Sequence, residues 1–90
     1  MTTIYKYPLP MADRIAVDMP EGSEILTAQM QVLTPCLWAK VDTSKPIETR
    51  YFRLFGTGHP MPSDMGVDLA YVATMQDRSL VWHLFEDKGV

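Results

Sequence analysis

The spacing of proline and glycine is the feature that most limits how this chain can fold. Seven prolines and five glycines are spread over its 90 residues, and helix interiors tolerate neither residue type. Between these breakers, apolar side chains recur at every second position, which is the period of a strand with one buried face. We therefore expect short strands joined by turns, and no long helix.

The alternating segments predict an all-β fold of about seven short strands, arranged as a small antiparallel sandwich or a partly open barrel. The predicted strands are residues 4–9, 14–19, 24–33, 36–42, 49–55, 68–76 and 79–85. A helical turn within residues 10–17 is an alternative, because Met11, Ala12 and Ile15 also fit a helical spacing.

Two of these strands are predicted to bury one continuous apolar face. The face of residues 24–33 consists of Leu26, Ala28, Met30 and Val32, and that of residues 68–76 consists of Leu69, Tyr71, Ala73 and Met75. Residues 49–55 carry apolar side chains on both faces, which is typical of a central strand. The next breakers predict a loop over residues 56–66, and residues 86–90 are predicted to fray.

Size and charge exclude several classes of protein. Ninety residues support one domain, residues 1–90, with a single modest core. The net charge of −3 argues against non-specific nucleic-acid binding, which needs a basic field. The longest uncharged stretch, residues 25–39, is too short and too polar to span a bilayer. No secretory signal is visible, so we expect a cytoplasmic protein without a membrane partner.

The chemistry-bearing residues do not form a recognisable catalytic or metal-binding motif. Cys36 is the only cysteine, which excludes an internal disulfide and a multi-cysteine zinc site. The two histidines, His59 and His83, have no metal-ligand spacing, so no metal and no cofactor is predicted. His83 lies on an alternating strand, where a structural role is favoured over catalysis.

His59 belongs to the block Gly-Thr-Gly-His-Pro at residues 56–60. The two glycines would let backbone amides approach a ligand, and the imidazole could donate a hydrogen bond to an anion. A tight loop with a purely structural role is nevertheless the favoured interpretation, and ligand binding is the alternative.

Arg50 and Arg53 are three residues apart on a predicted strand and should therefore point to opposite faces. Either could stack on an aromatic ring and recognise a nucleotide or an acidic partner surface, or could form a structural salt bridge. Without a catalytic set, the candidate ligand- or partner-binding residues are Arg50, Arg53, Thr57, Gly58, His59 and His83.

The chain also has more apolar side chains than so small a core can hold. Trp38, Val81 and Phe85 share predicted faces with polar residues, and Met19, Met61 and Met65 fall near turns or loops. Exposed apolar and methionine-rich surfaces often mark contacts. We therefore expect the protein to form a homo-oligomer or to bind a partner.

Several segments together resemble a family of short, uncharacterised proteins encoded by tailed phages, prophages and related bacteria. They are residues 4–9, 19–26, 36–42 and 48–50, the Gly-Thr-Gly-His-Pro block, and the ending Leu-Val-Trp-His-Leu-Phe-Glu at residues 80–86. The resemblance implies no enzyme activity and assigns no catalytic residue. It does imply a context in which small accessory proteins bind a host protein or a host immune signal.

The sequence thus favours a non-enzymatic phage or prophage accessory protein. It would bind a host protein or a small anionic or nucleotide ligand, and one use of such binding is to counteract host defence. One alternative is a small hydrolase or nucleotide-processing enzyme that uses His59, His83 and an acidic residue. Another alternative is a minor structural protein of the virion. Convergence of both histidines and an arginine on one pocket would favour the ligand-binding and enzyme readings.

Overall fold

Seven antiparallel strands in two sheets make up the fold, in a computed structural model that describes residues 1–62 and 68–90. The strands are β1 (Thr2–Pro8), β2 (Arg14–Pro20), β3 (Glu24–Gln31), β4 (Thr34–Asp42), β5 (Ile47–Gly56), β6 (Leu69–Asp77) and β7 (Leu80–Asp87). All seven predicted strands are present, and each end lies within two residues of its predicted position. The described residues contain no helix, so the helical alternative for residues 10–17 is wrong. Accordingly, no described helix is long and apolar enough to cross a membrane.

The strands form a three-stranded sheet with the order β1-β4-β3 and a four-stranded sheet with the order β2-β5-β7-β6. The two sheets meet where β3 lies against β6 and, less extensively, where β4 lies against β2. The sheets do not close into a barrel. Of the two arrangements that the sequence predicts, the antiparallel sandwich is therefore confirmed. The central position predicted for the strand at residues 49–55 is also confirmed, because β5 pairs with β2 on one side and with β7 on the other.

The core consists of side chains that point from each sheet towards the other. The four-stranded sheet contributes Ile15, Val17, Met19, Phe52, Leu54 and Leu84, and the three-stranded sheet contributes Leu37 and Ala28. Met19 is completely buried because it continues the alternation of Ile15 and Val17, so the expectation that it is exposed is wrong. Met61 is 47% exposed, as expected, and Met65 lies outside the described residues.

Two register shifts change which side chains face the core. One lies between Ile25 and Thr27 in β3, and the other lies between Tyr71 and Ala73 in β6. At a β-bulge, an extra residue reverses the faces of the residues that follow. Leu26 and Tyr71, which were predicted to be buried, are consequently 43% and 61% exposed.

The predicted ends of two strands also need correction. Val32 was placed on the buried face of β3, but it occupies a turn after the strand and is 89% exposed. Residues 86 and 87 were predicted to fray, yet β7 continues to Asp87. Glu86 is buried, because its carboxylate accepts hydrogen bonds from Arg50. The buried ion pair therefore lies at the end of β7.

A candidate binding surface on the four-stranded sheet

The face of the four-stranded sheet that points away from the core carries a row of large side chains across all four strands. Strand pairing places Arg14, Arg53, Phe85 and Tyr71 side by side, in that order. The adjacent row consists of Phe55, His83 and Thr74. We call this surface the outer face.

Three aromatic rings on the outer face contact one another edge to face. The centroid of Phe85 lies 5.9 Å from that of Phe55 and 5.6 Å from that of Tyr71, with interplanar angles of 71° and 69°. Such T-shaped contacts add to the stability that burial gives. Phe55 is buried, Phe85 is partly buried and Tyr71 is 61% exposed. We call Phe55, Phe85 and Tyr71 the aromatic row. Tyr71 and Phe85 present its apolar surface to solvent, and the buried ring of Phe55 packs against Phe85.

Two arginines border the aromatic row on one side. The guanidinium carbon of Arg53 lies over the ring of Phe55, 5.1 Å from its centroid. Arg53 is therefore the arginine that stacks on an aromatic ring, one of the two roles considered from the sequence. Arg14 lies directly opposite Arg53 on β2. Within the described residues, neither side chain forms an ion pair, and Arg53 donates only to the carbonyl oxygen of Asp13, at 3.3 Å. Like charges in directly opposite positions destabilise a sheet, so a bound carboxylate would relieve a repulsion that the free protein carries.

His83 is held by hydroxyl groups on the other side of the aromatic row. Its Nε2 lies 2.8 Å from Oγ1 of Thr57, and its Nδ1 lies 3.0 Å from Oγ1 of Thr74. The Thr74 hydroxyl lies in turn 2.8 Å from the hydroxyl of Tyr71. Because threonine hydroxyls both donate and accept, this network satisfies both nitrogens of a neutral imidazole. It orients Tyr71 and couples the aromatic row to the loop after β5.

His59 lies on the other side of the four-stranded sheet, against Gly56 and Trp82. Its backbone NH donates to the carbonyl oxygen of Gly56 at 3.0 Å, and its ring centroid is 6.1 Å from that of Trp82. Gly58, which precedes it, has a φ of +84°, a conformation that favours glycine. Since Trp82 faces the core side and His83 faces outward, the two histidines line no common cleft.

Arg50 points into the space between the sheets and does not reach the other candidate residues. Its Nε donates to Oε2 of Glu86 at 2.5 Å and its Nη2 to Oε1 at 3.0 Å, while its Nη1 donates to the carbonyl oxygen of Ser23 at 2.8 Å. The hydrogen bonds to Glu86 raise the pKa of the Arg50 guanidinium above its usual value, although burial acts in the opposite direction. Gly56 is six residues further along β5, or about 20 Å. Arg50 thus forms a structural ion pair with Glu86, which is the alternative to ligand recognition that the sequence analysis gave.

Of the predicted residues, the structure brings Arg53, Thr57 and His83 together on or beside the outer face, with Gly58 and His59 in the adjoining loop. Sequence reasoning missed Arg14, Phe55 and Tyr71 as members of this surface. Their nearness depends on the strand order, and no sequence signal specifies that β5 lies between β2 and β7. Period-two alternation places Arg53 and Phe55 on the same face of β5. This is the only sequence signal that links a residue missed by the sequence analysis to Arg53.

Among the described residues, Cys36 does not pair with a histidine, and no metal-binding cluster is formed. Cys36 is buried on β4 of the three-stranded sheet, whereas both histidines belong to the four-stranded sheet or its loop. Across residues 1–62 and 68–90, no three His, Cys, Asp or Glu side chains are grouped so that they could hold a metal ion.

Comparison with known proteins places the chain in a family. The family model described as "Domain of unknown function (DUF7352)" matches residues 1–90, and the chain belongs to that family. No curated protein and no solved structure matches the chain. The family is thus an uncharacterised one, as the sequence resemblance indicated.

Proposed function

We propose that this protein is a phage- or prophage-encoded accessory protein that acts in the host cytoplasm by binding a host protein, without catalysis. The partner docks on the outer face and presents acidic side chains next to apolar ones. A component of a host defence system is the kind of partner that the phage context favours.

The observation that carries the proposal is the continuity of the aromatic row with the two arginines. Tyrosine and arginine are among the residues most enriched at the energetic centres of protein interfaces. Here Tyr71 is exposed, Arg53 is fixed on Phe55, and Arg14 lacks a carboxylate partner among the described residues. The chain as a whole carries a charge of −3, so this basic and aromatic strip stands out from an acidic protein. An acidic partner surface complements it.

The shape of the outer face favours a protein over a small molecule as its main partner. Small-molecule sites are concave and enclose most of the ligand, whereas the row from Arg14 to Tyr71 crosses the open face of a sheet. A protein interface of standard size takes about 800 Å² from each partner. That area is about one seventh of the 5654 Å² surface of this chain.

The surroundings of the histidines support binding over catalysis. A general base needs a proton-accepting nitrogen within reach of a substrate, and a partner that orients it is commonly a carboxylate. Both nitrogens of His83 are engaged by threonine hydroxyls. His59 lies on the other side of the sheet, against Trp82. The arrangement therefore resembles a fixed polar border of a contact surface more than a catalytic pair.

Variant-dependent capture of the partner tests this proposal. Immobilised protein is incubated with bacterial lysate, and captured proteins are quantified by mass spectrometry for the wild type, Tyr71→Ala and Arg14→Glu. Tyr5→Ala and Lys45→Glu are the matched controls, because both residues are exposed and lie on or beside the three-stranded sheet. We expect one protein whose capture falls at least tenfold in both outer-face variants and is unchanged in both controls.

Two outcomes would overturn the proposal. Either the protein captured by the wild type is also lost from the Tyr5→Ala and Lys45→Glu variants, or no protein depends on Tyr71 and Arg14. Light scattering on the purified chain identifies the competing occupant: a dimer that Tyr71→Ala dissociates would mean that a second copy covers the outer face.

A further inference from the structure

At one end of the four-stranded sheet, β5 extends past the start of β2. The last pair between these strands is Arg14 with Arg53, and β5 continues to Gly56. Beside this free stretch of β5 is a cleft of about 220 Å³, lined by Asp13, Arg53, Leu54, Phe55, His59 and Pro60. The cleft therefore brings together an arginine and the histidine of the Gly-Thr-Gly-His-Pro block.

The guanidinium of Arg53 is positioned before any ligand arrives. Its Nε donates a hydrogen bond to the carbonyl oxygen of Asp13, and its Cζ lies over the ring of Phe55, 5.1 Å from the centroid. Within the described residues, its two terminal nitrogens, Nη1 and Nη2, have no acceptor. Terminal guanidinium nitrogens presented in this way match the two oxygens of a carboxylate or phosphate.

The imidazole of His59 is also held in place, although the residue is exposed. It lies over Gly56 so closely that a Cβ on that residue would approach ring atoms Cε1 and Nδ1 to 2.8 Å. Its ring is edge to face with Trp82. No described side chain accepts or donates a hydrogen bond to either of its nitrogens. The absence of a side chain at Gly56 thus gives the His59 ring the room to lie against the strand.

We propose that the cleft between Arg53 and His59 binds a small oxyanion, namely a carboxylate or phosphate group. Arg53 supplies charge and terminal donors, and His59, which lines the same cleft, supplies an imidazole NH. Asp13 also lines the cleft, and its negative charge repels an anion, so it favours a singly charged group over a doubly charged one. This site is distinct from the partner surface proposed above and shares only Arg53 and Phe55 with it.

Titration with inorganic phosphate and, separately, with acetate tests the site. The NMR signals of His59 and the indole NH of Trp82 report binding, because the two rings are in contact. We expect saturable shifts with at least one of the two anions, and at least tenfold weaker binding in His59→Ala and Arg53→Ala. Asp13→Asn should bind more tightly, with the larger gain for phosphate. Tyr5→Ala, on the exposed surface of β1 in the three-stranded sheet, should bind as the wild type does.

Gly56→Ala tests the positioning of His59 without removing either ligand-binding side chain. The added methyl group displaces an exposed imidazole, which can move, so the variant should remain folded while its anion affinity falls as it does in His59→Ala. A thermal melt confirms folding. Shifts that rise linearly without saturation, or equal affinity in the wild type and His59→Ala, would overturn the site. Failure here leaves the dependence of partner capture on Tyr71 untouched, so the two proposals fail separately.

Discussion

At the scale of single residues, Arg50 and Arg53 show how neighbours of one type acquire different roles. They point to opposite faces of β5, as their spacing predicts. One side chain is enclosed between the sheets with Glu86, and the other is stacked on Phe55 at the surface. The sequence predicts the opposite orientations but not the roles, because Glu86 is 36 residues away and reaches Arg50 only through the pairing of β5 with β7.

The Arg50–Glu86 pair should be a measurable source of stability. The side chains of Glu86 and Arg50 are 9% and 17% exposed. Removing one partner of a buried pair leaves the other charge unpaired and costs about 3–5 kcal/mol of stability. The cost should be smaller here, because the Arg50 side chain is partly exposed to water. We expect Glu86→Gln to lower the free energy of unfolding by about 2–3 kcal/mol in urea denaturation.

Glu24→Gln is the matched control for this prediction. Glu24 forms an ion pair with Lys40 at 3.3 Å, and both side chains are more than half exposed. Exposed pairs contribute about 0–1 kcal/mol. Equal losses in Glu86→Gln and Glu24→Gln would contradict the structural role given to the buried pair.

At the scale of elements, the limit of sequence prediction is the β-bulge. Alternation and breakers predict every strand end to within two residues, because both are local properties of the chain. A bulge depends on the partner strand, and the two bulges are the reason that the faces of Leu26 and Tyr71 are predicted wrongly. The bulge after Tyr71 has a functional consequence. It lets Tyr71 join the aromatic row while Ala73 and Met75 remain buried.

The turn between β3 and β4 contains a strained residue. Val32 has a φ of +59°, which is unfavourable for a β-branched side chain, and it is 89% exposed. Glycine adopts this conformation without strain, so Val32→Gly should raise the free energy of unfolding by about 0.5–1 kcal/mol.

Leu33→Gly is the control in the same turn. Leu33 is 59% exposed and is not among the residues with positive φ. Here glycine only increases the entropy of the unfolded chain, and stability should fall by about 0.5–1 kcal/mol. Thermal melts compare the two variants, and a loss of stability in both would show that Val32 is not strained.

At the scale of the whole molecule, the candidate surface arises from the order of the strands. Arg14, Arg53, Phe85 and Tyr71 come from β2, β5, β7 and β6, and they form one row only because these strands are neighbours in that order. The sequence identifies Arg53, Thr57 and His83 as candidates from residue type alone. It does not identify Arg14 or Tyr71, because an exposed arginine or tyrosine has no local signature that marks a binding surface.

The same topology separates the two proposed activities. Alternation along β5 and β7 directs His83 to the outer face, while Trp82, and with it His59, lies on the core side. The outer face offers an aromatic and basic surface that spans four strands and is suited to a protein. The end of β5 offers a small cleft suited to an oxyanion. Arg53 is the one charged residue that belongs to both.

The central claim is that the outer face of the four-stranded sheet contacts a host protein, and site-specific photo-crosslinking tests it most directly. A benzophenone amino acid replaces Tyr71 in one variant and Tyr5, on the three-stranded sheet, in the other, and each is irradiated in bacterial cells. We predict a discrete crosslinked species from position 71 that Arg14→Glu abolishes, with none from position 5. The same species from position 5, or its persistence with Arg14→Glu, would show that the outer face is not the contact surface.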